Sequence, residues 1–166
     1  MLLHDTMDRI QPTNPNLLAQ AQARLDRLTK PIGSLGRLEE LAARYVMITG
    51  EMKPKVPHGA VFTFAADHGV AVEGVSAYPS AVTPQMVLNF LRGGAGVNVL
   101  ARHVGIDVRV VDIGVAFDFE AVSGLIHRKI MLGTKNLLVE SAMSIAQAEQ
   151  ALTVGMELAA EAAQEG

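Results

Sequence analysis

The 166-residue chain is 49% hydrophobic and 19% charged, with a formal net charge of −3 and no cysteine. A length in this range suits one domain with a real core, and the mixed composition excludes a disordered acidic or basic tail. The missing cysteines exclude disulfide frameworks, thiolate zinc sites and thiol nucleophiles. Lys and Arg occur only singly or in pairs, which argues against general nucleic-acid binding.

No run of 18 apolar residues interrupts the sequence, and the N-terminal stretch MLLHDTMDRIQP lacks a signal-peptide core. The expectation is therefore a cytoplasmic protein with no membrane segment. Residues 1–57 are polar and helical in pattern, ending in the linker-like stretch 52–57, whereas residues 58–166 are richer in Gly, Ala and Val.

Asn14-Pro15 predicts a helix start, with Leu17, Leu18, Ala21, Leu25 and Leu28 as its apolar stripe. Lys30-Pro31-Ile32-Gly33-Ser34 breaks that helix. A second is predicted over residues 34–49, with Leu35, Leu38, Leu41, Ala42, Tyr45 and Ile48 on one side. The two form a helical hairpin whose stripes need a partner. Residues 60–66 read as a strand buried on both faces, as in a parallel sheet.

A long polar connection over residues 73–80 leads to a helix beginning at Thr83-Pro84, with Met86, Val87, Phe90 and Leu91 on its apolar side. A break at residues 92–96 precedes a helix over 97–103 and a buried-type strand over 107–113. A weaker strand is possible over 125–131. Ser144 and Gln147 form a capping box before a long helix, with Ile145, Ala148, Leu152, Met156 and Ala159 on one face. Strands alternating with helices predict a doubly wound α/β fold: a Rossmann-like parallel sheet with flanking helices.

Open α/β sheets bind ligands beyond the carboxyl ends of their strands. Those ends carry Asp67-His68-Gly69 and Asp112-Ile113-Gly114, so Asp67, His68 and Asp112 are candidate crevice residues; Asp and Gly also follow strands simply as turn formers. Two carboxylates and one imidazole could hold a metal, but no second histidine lies near, and His58, His103 and His127 are scattered. Ser76 and Tyr78 offer hydroxyls, and the tyrosine ring could stack on a flat heteroaromatic ligand. The Gln85 amide, in the following helix's first turn, could meet a ring nitrogen. The same segment could equally be a surface loop.

No nucleophile elbow surrounds Ser76. Gly93-Gly94-Ala95-Gly96 lacks the Lys-Ser/Thr of a phosphate loop and lies between helices, which favours tight helix–helix contact. Gly133-Thr134-Lys135-Asn136 groups a flexible backbone, a hydroxyl, a cation and an amide that could meet an anion, although the composition is also that of an ordinary loop. Glu149, Glu157, Glu161 and Glu165 read as a solvated face.

Several segments taken in order are more specific than any one of them. They are residues 30–39 (KPIGSLGRLE), 66–69 (ADHG), 73–79 (EGVSAYP), 82–86 (VTPQM), 93–95 (GGA), 112–114 (DIG), 133–136 (GTKN) and 142–144 (AMS). Together they resemble the nicotinate-nucleotide–dimethylbenzimidazole phosphoribosyltransferases of cobalamin biosynthesis, from about residue 14 onward. The resemblance implies transfer of phosphoribose from nicotinate mononucleotide to 5,6-dimethylbenzimidazole, giving α-ribazole 5′-phosphate and nicotinate. It implies a homodimer needing neither metal nor organic cofactor, with residues 1–57 as part of a small helical domain and 58–166 as part of the Rossmann-like domain. Ser76, Tyr78, Gln85 and Met86 match the region lining the benzimidazole pocket.

Family members are much longer than this chain. The resemblance therefore implies that the general-base glutamate lies in a missing C-terminal half, that no catalytic residue is present here, and that the sheet is incomplete, with an exposed apolar edge prone to aggregation. A chain of this kind is expected to be inactive alone. Two alternatives stay open: a non-catalytic module binding benzimidazole-like or purine-like ligands, and a metal-dependent hydrolase using Asp67, His68 and Asp112.

Overall fold

The computed structural model describes residues 3–56 and 58–165. The chain divides into two compact units, Thr6–Pro57 and Met1–Asp5 with His58–Gly166. A short helix α1 (Leu3–Asp8), not predicted, opens the described chain.

In the helical unit, α2 (Asn16–Asp26) begins just after Pro15, and the Asn14 side chain accepts the Asn16 N–H at 3.0 Å. The second helix, α3 (Arg37–Thr49), starts later than its predicted onset at Ser34, because Gly33 and Gly36 hold the intervening turns in left-handed backbone. Leu17, Ala21 and Leu25 of α2 face the core as expected, whereas the buried face of α3 differs from the predicted one. Ala21, Ala43 and Val46 form the core with Leu17, Leu25 and Met52 packed against it. Leu18, Leu28, Leu35, Leu38, Leu41 and Ile48 are exposed. Small side chains let α2 and α3 approach closely, and Glu39, drawn inward by Lys30 at 2.8 Å, occupies the same side as Ala43 and Val46.

The α/β unit is a parallel three-stranded sheet in the order β1-β2-β3: β1 (Ala60–Ala66), β2 (Asp107–Gly114) and β3 (Leu125–His127). Between β1 and β2 run α4 (Thr83–Leu91) and α5 (Gly96–Val104); α6 (Ile145–Glu165) follows β3. Alternation along β2 builds two cores. Val110 and Val115 pack with Ala65, Leu125 and Val87 of α4, while Val111 packs with Val154 and Leu158 of α6. Helices thus cover both faces, as a doubly wound sheet requires.

Three expectations are corrected here. Among the described residues β1 pairs only with β2, and its Phe64 is 43% exposed, so it is an edge strand rather than one buried on both faces. The third strand stops at His127; residues 128–130 still hydrogen-bond to β2 through Arg128 N–H to Asp112 O and Ile130 N–H to Ile113 O, but Lys129 turns to gather the carbonyls of the preceding loop. On α6, Val154 and Leu158 are buried whereas Ile145 and Leu152 are exposed, so the inward face is rotated from the predicted stripe. The capping box is present: Ser144 N–H donates to Gln147 Oε1 at 2.8 Å, and Gln147 N–H donates to Ser144 Oγ at 3.3 Å.

Candidate functional site

Register places the candidate residues. β1 and β2 pair evenly from Ala60↔Asp107 to Ala65↔Asp112, then slip by one residue so that Ala66 faces Gly114. Beyond that bulge Asp67 N–H donates to Gly114 O at 3.0 Å, and Thr134 N–H donates to Asp67 O at 2.9 Å. The ends of β1 and β2 and the segment after β3 therefore meet at one edge of the sheet. Gly69 is required there: a Cβ on it would lie 2.5 Å from both Asn136 N and the Lys135 carbonyl carbon.

Asp67 is buried, and both of its oxygens are engaged. Thr83 Oγ1 donates to Oδ1 at 2.6 Å and Ala116 N–H to Oδ2 at 2.8 Å. Asp112 is completely buried; its Oδ1 accepts Val115 N–H at 3.0 Å, and Lys129 Nζ stands 3.3 Å from Oδ2. Lys129 also donates to Val115 O at 2.8 Å and to Phe117 O. One ammonium group thus neutralises a buried carboxylate and wraps the loop 115–117 around itself.

Two cavities flank Asp67. The first, about 530 Å³, is lined by Ser76, Tyr78 and Met86, by His68, and by apolar groups including Phe64, Val87 and Phe90. The second, about 460 Å³, is lined by Gln85, Pro84, Leu88, Ala116 and Phe117; Asp67 and Ser80 border both. Gln85 and Met86 therefore face different spaces, because successive helical residues point roughly 100° apart. Tyr78 is largely exposed at the first mouth, and its N–H donates to Ser76 Oγ at 3.3 Å.

The single crevice expected for Asp67, His68 and Asp112 is not formed, since Asp112 lines neither cavity and is enclosed with Lys129. Among the described residues no three His, Asp or Glu side chains are grouped to hold a metal ion. Thr134 is used in joining the strand ends, forming a bridge with His68. Lys135, expected to face an anion, is paired with Glu140 at 2.7 Å, and the Asn136 side-chain amide donates to Glu73 Oε1 at 2.6 Å. In the glycine run after α4 only Ala95 is buried: Asn98 Oδ1 accepts Ala95 N–H and its amide donates to Phe90 O, while a Cβ on Gly94 would lie 2.3 Å from Asn89 Oδ1.

Sequence reasoning missed Thr83, Ala116, Phe117 and Lys129. The available signal was the cationic Arg128-Lys129 pair set among Ile126, Ile130 and Met131, where a charge drawn inward needs a buried partner.

A parallel α/β sheet with apolar cavities at its carboxyl edge and a few convergent polar groups defines a small-molecule-binding α/β domain. The chain belongs to the phosphoribosyltransferase family, whose model matches residues 10–166. Among its relatives, the nicotinate-nucleotide–dimethylbenzimidazole phosphoribosyltransferase of Geobacter sp. (strain M21) is 61% identical over 165 residues, which is 99% of this chain and 47% of that protein. The protein of the same name from Roseiflexus castenholzii is 54% identical over the same shares. A crystal structure of CobT from Thermus thermophilus superposes with a TM-score of 0.84 at 50% identity, covering 92% of this chain and 46% of the other. The chain thus spans about half the length of the relatives it matches. No helix among the described residues is long and apolar enough to cross a membrane.

Proposed function

We propose that this chain supplies the base-binding portion of an enzyme that transfers phosphoribose from nicotinate mononucleotide to 5,6-dimethylbenzimidazole, forming α-ribazole 5′-phosphate and nicotinate in assembly of the cobalamin nucleotide loop. The observation that carries this reading is the apolar cavity at the sheet's carboxyl edge, in a chain 61% identical to a relative named for that transfer. A flat aza-aromatic base suits it. Tyr78 offers a ring face, Ser76 a hydroxyl and Met86 a polarizable wall, while Gln85 next door offers an amide.

No residue of this chain is given the role of general base. The transfer needs a carboxylate free to take the proton of the incoming nitrogen as the glycosidic bond breaks. Asp67, the carboxylate bordering both cavities, already accepts two hydrogen bonds. The resemblance to the nicotinate-nucleotide–dimethylbenzimidazole phosphoribosyltransferases assigns the base to a glutamate outside these 166 residues. On the same resemblance, residues 1–57 belong to a small helical domain and 58–166 to a Rossmann-like domain of a homodimeric cytoplasmic enzyme.

Incubation of the purified chain with both substrates, alongside calorimetry with the base alone, tests the reading. Binding of 5,6-dimethylbenzimidazole without product is expected. No binding, or robust α-ribazole phosphate formation by this chain alone, would overturn it. Binding that stays unproductive after a complementary C-terminal half is added would favour a non-catalytic module.

A further inference from the structure

Asp67 is more deeply built in than a cavity wall needs to be. It is 7% exposed, it borders both cavities, and its two oxygens reach opposite sides of the site. Oδ1 accepts Thr83 Oγ1 at the first turn of α4, and Oδ2 accepts the Ala116 amide of the loop that follows β2. Gln85 and Met86 sit two and three residues after Thr83, and Phe117 is next to Ala116. The loop is held again from behind by Lys129, through Val115 O and Phe117 O. The Asp67 side chain bridges both arms with its two oxygens; an asparagine could still bridge them by turning its NH₂ toward the Thr83 hydroxyl, whereas an alanine reaches neither.

We infer that Asp67 is a positioning residue, which sets the spacing between the first turn of α4 and the 115–117 loop and thereby the width of the second cavity, where Gln85 meets the edge of the aromatic base. It has this role on the reading that these cavities receive the base.

Two readouts on the 166-residue chain test this, one without ligand and one with it. Hydrogen exchange of the Ala116 amide by NMR reports the clamp directly. Calorimetry with 5,6-dimethylbenzimidazole and with unsubstituted benzimidazole reports the width of the site. Asp67→Ala should raise Ala116 exchange by about tenfold, weaken dimethylbenzimidazole binding by about three- to tenfold, and narrow its preference over benzimidazole. Thr83→Val, which keeps the shape and removes the donor, should act in the same direction, whereas Thr83→Ser should restore both affinity and preference. The clamp is refuted by Ala116 exchange at the wild-type rate in Asp67→Ala. The positioning role is refuted if Thr83→Val and Thr83→Ser bind both bases alike, or if Ala116 is released with no change in base preference. A wild-type chain that binds neither base, with Ala116 still released by Asp67→Ala, would overturn the base-binding reading while supporting the clamp.

Discussion

Lys30 Nζ lies 2.8 Å from Glu39 Oε1, closing the glycine-containing loop between α2 and α3. Glu39 is 4% exposed, and Oε1 also accepts the Leu35 N–H at 3.0 Å. The Lys30 ammonium, followed by that amide, holds the Glu39 carboxyl below its usual value of 4.5. A carboxyl with a lowered folded-state pKa binds fewer protons folded than unfolded. Its stabilisation is complete above the unfolded value and is lost as pH falls through the folded one. Melting of the helical unit followed by circular dichroism should hold steady from pH 7 to about 5 and drop below about 4.5. Glu39→Gln should melt lower at pH 7 and lose much of that acid dependence.

Gln85 and Met86 face different cavities, so their substitutions should separate. Gln85→Ala removes an amide that can meet a ring nitrogen and should weaken base binding by about 0.5–1.5 kcal/mol, the net worth of one hydrogen bond. Calorimetry should show this with the melting temperature unchanged, since Gln85 is exposed. An unaltered affinity would remove Gln85 from the site.

At Gly69 the neighbouring backbone, rather than a side chain, leaves no room for a methyl group. Gly69→Ala must push the Thr134–Asn136 segment away and break the Gly69 N–H to Thr134 O bond. A loss of about 1–3 kcal/mol in urea unfolding is expected, the usual range for overpacking.

Lys129→Met strands the Asp112 carboxylate in the core. Breaking a buried ion pair by removing one partner costs about 3–5 kcal/mol. Lys129 is itself 22% exposed, so the lower end applies. The double substitution with Asp112→Asn should recover part of that loss, which a double-mutant cycle by urea unfolding would measure. Strict additivity would show that the pair is not coupled.

Features encoded by neighbouring residues were legible in the sequence. The Ser144–Gln147 capping box, the Thr83-Pro84 helix start and the two main strands stand where local pattern puts them. Periodicity reveals that a helix has an apolar stripe but not whether that stripe is covered. Leu38, Leu41, Ile145 and Leu152 were therefore read as inward-facing, while the smaller Ala43 and Val154 make the contacts. The site was legible in part for the same reason. Ser76, Tyr78 and Met86 converge because one loop and one helix turn carry them. The clamp joins Asp67, Thr83 and Ala116 across long sequence separations, and the Lys129–Asp112 pair spans the β2–β3 connection, relationships that no local window contains.

The one-residue slip between β1 and β2 sets a length rule for this edge of the protein. Ala65 pairs with Asp112 and Ala66 with Gly114, so Ile113 is the residue without an opposite number. Deleting it would leave Asp112 opposite Ala65 and Gly114 opposite Ala66 in plain pairing, and would remove the local bend and added twist that the bulge gives β2 just before Val115 and Ala116. A swap of β2 between relatives should carry its bulge with it.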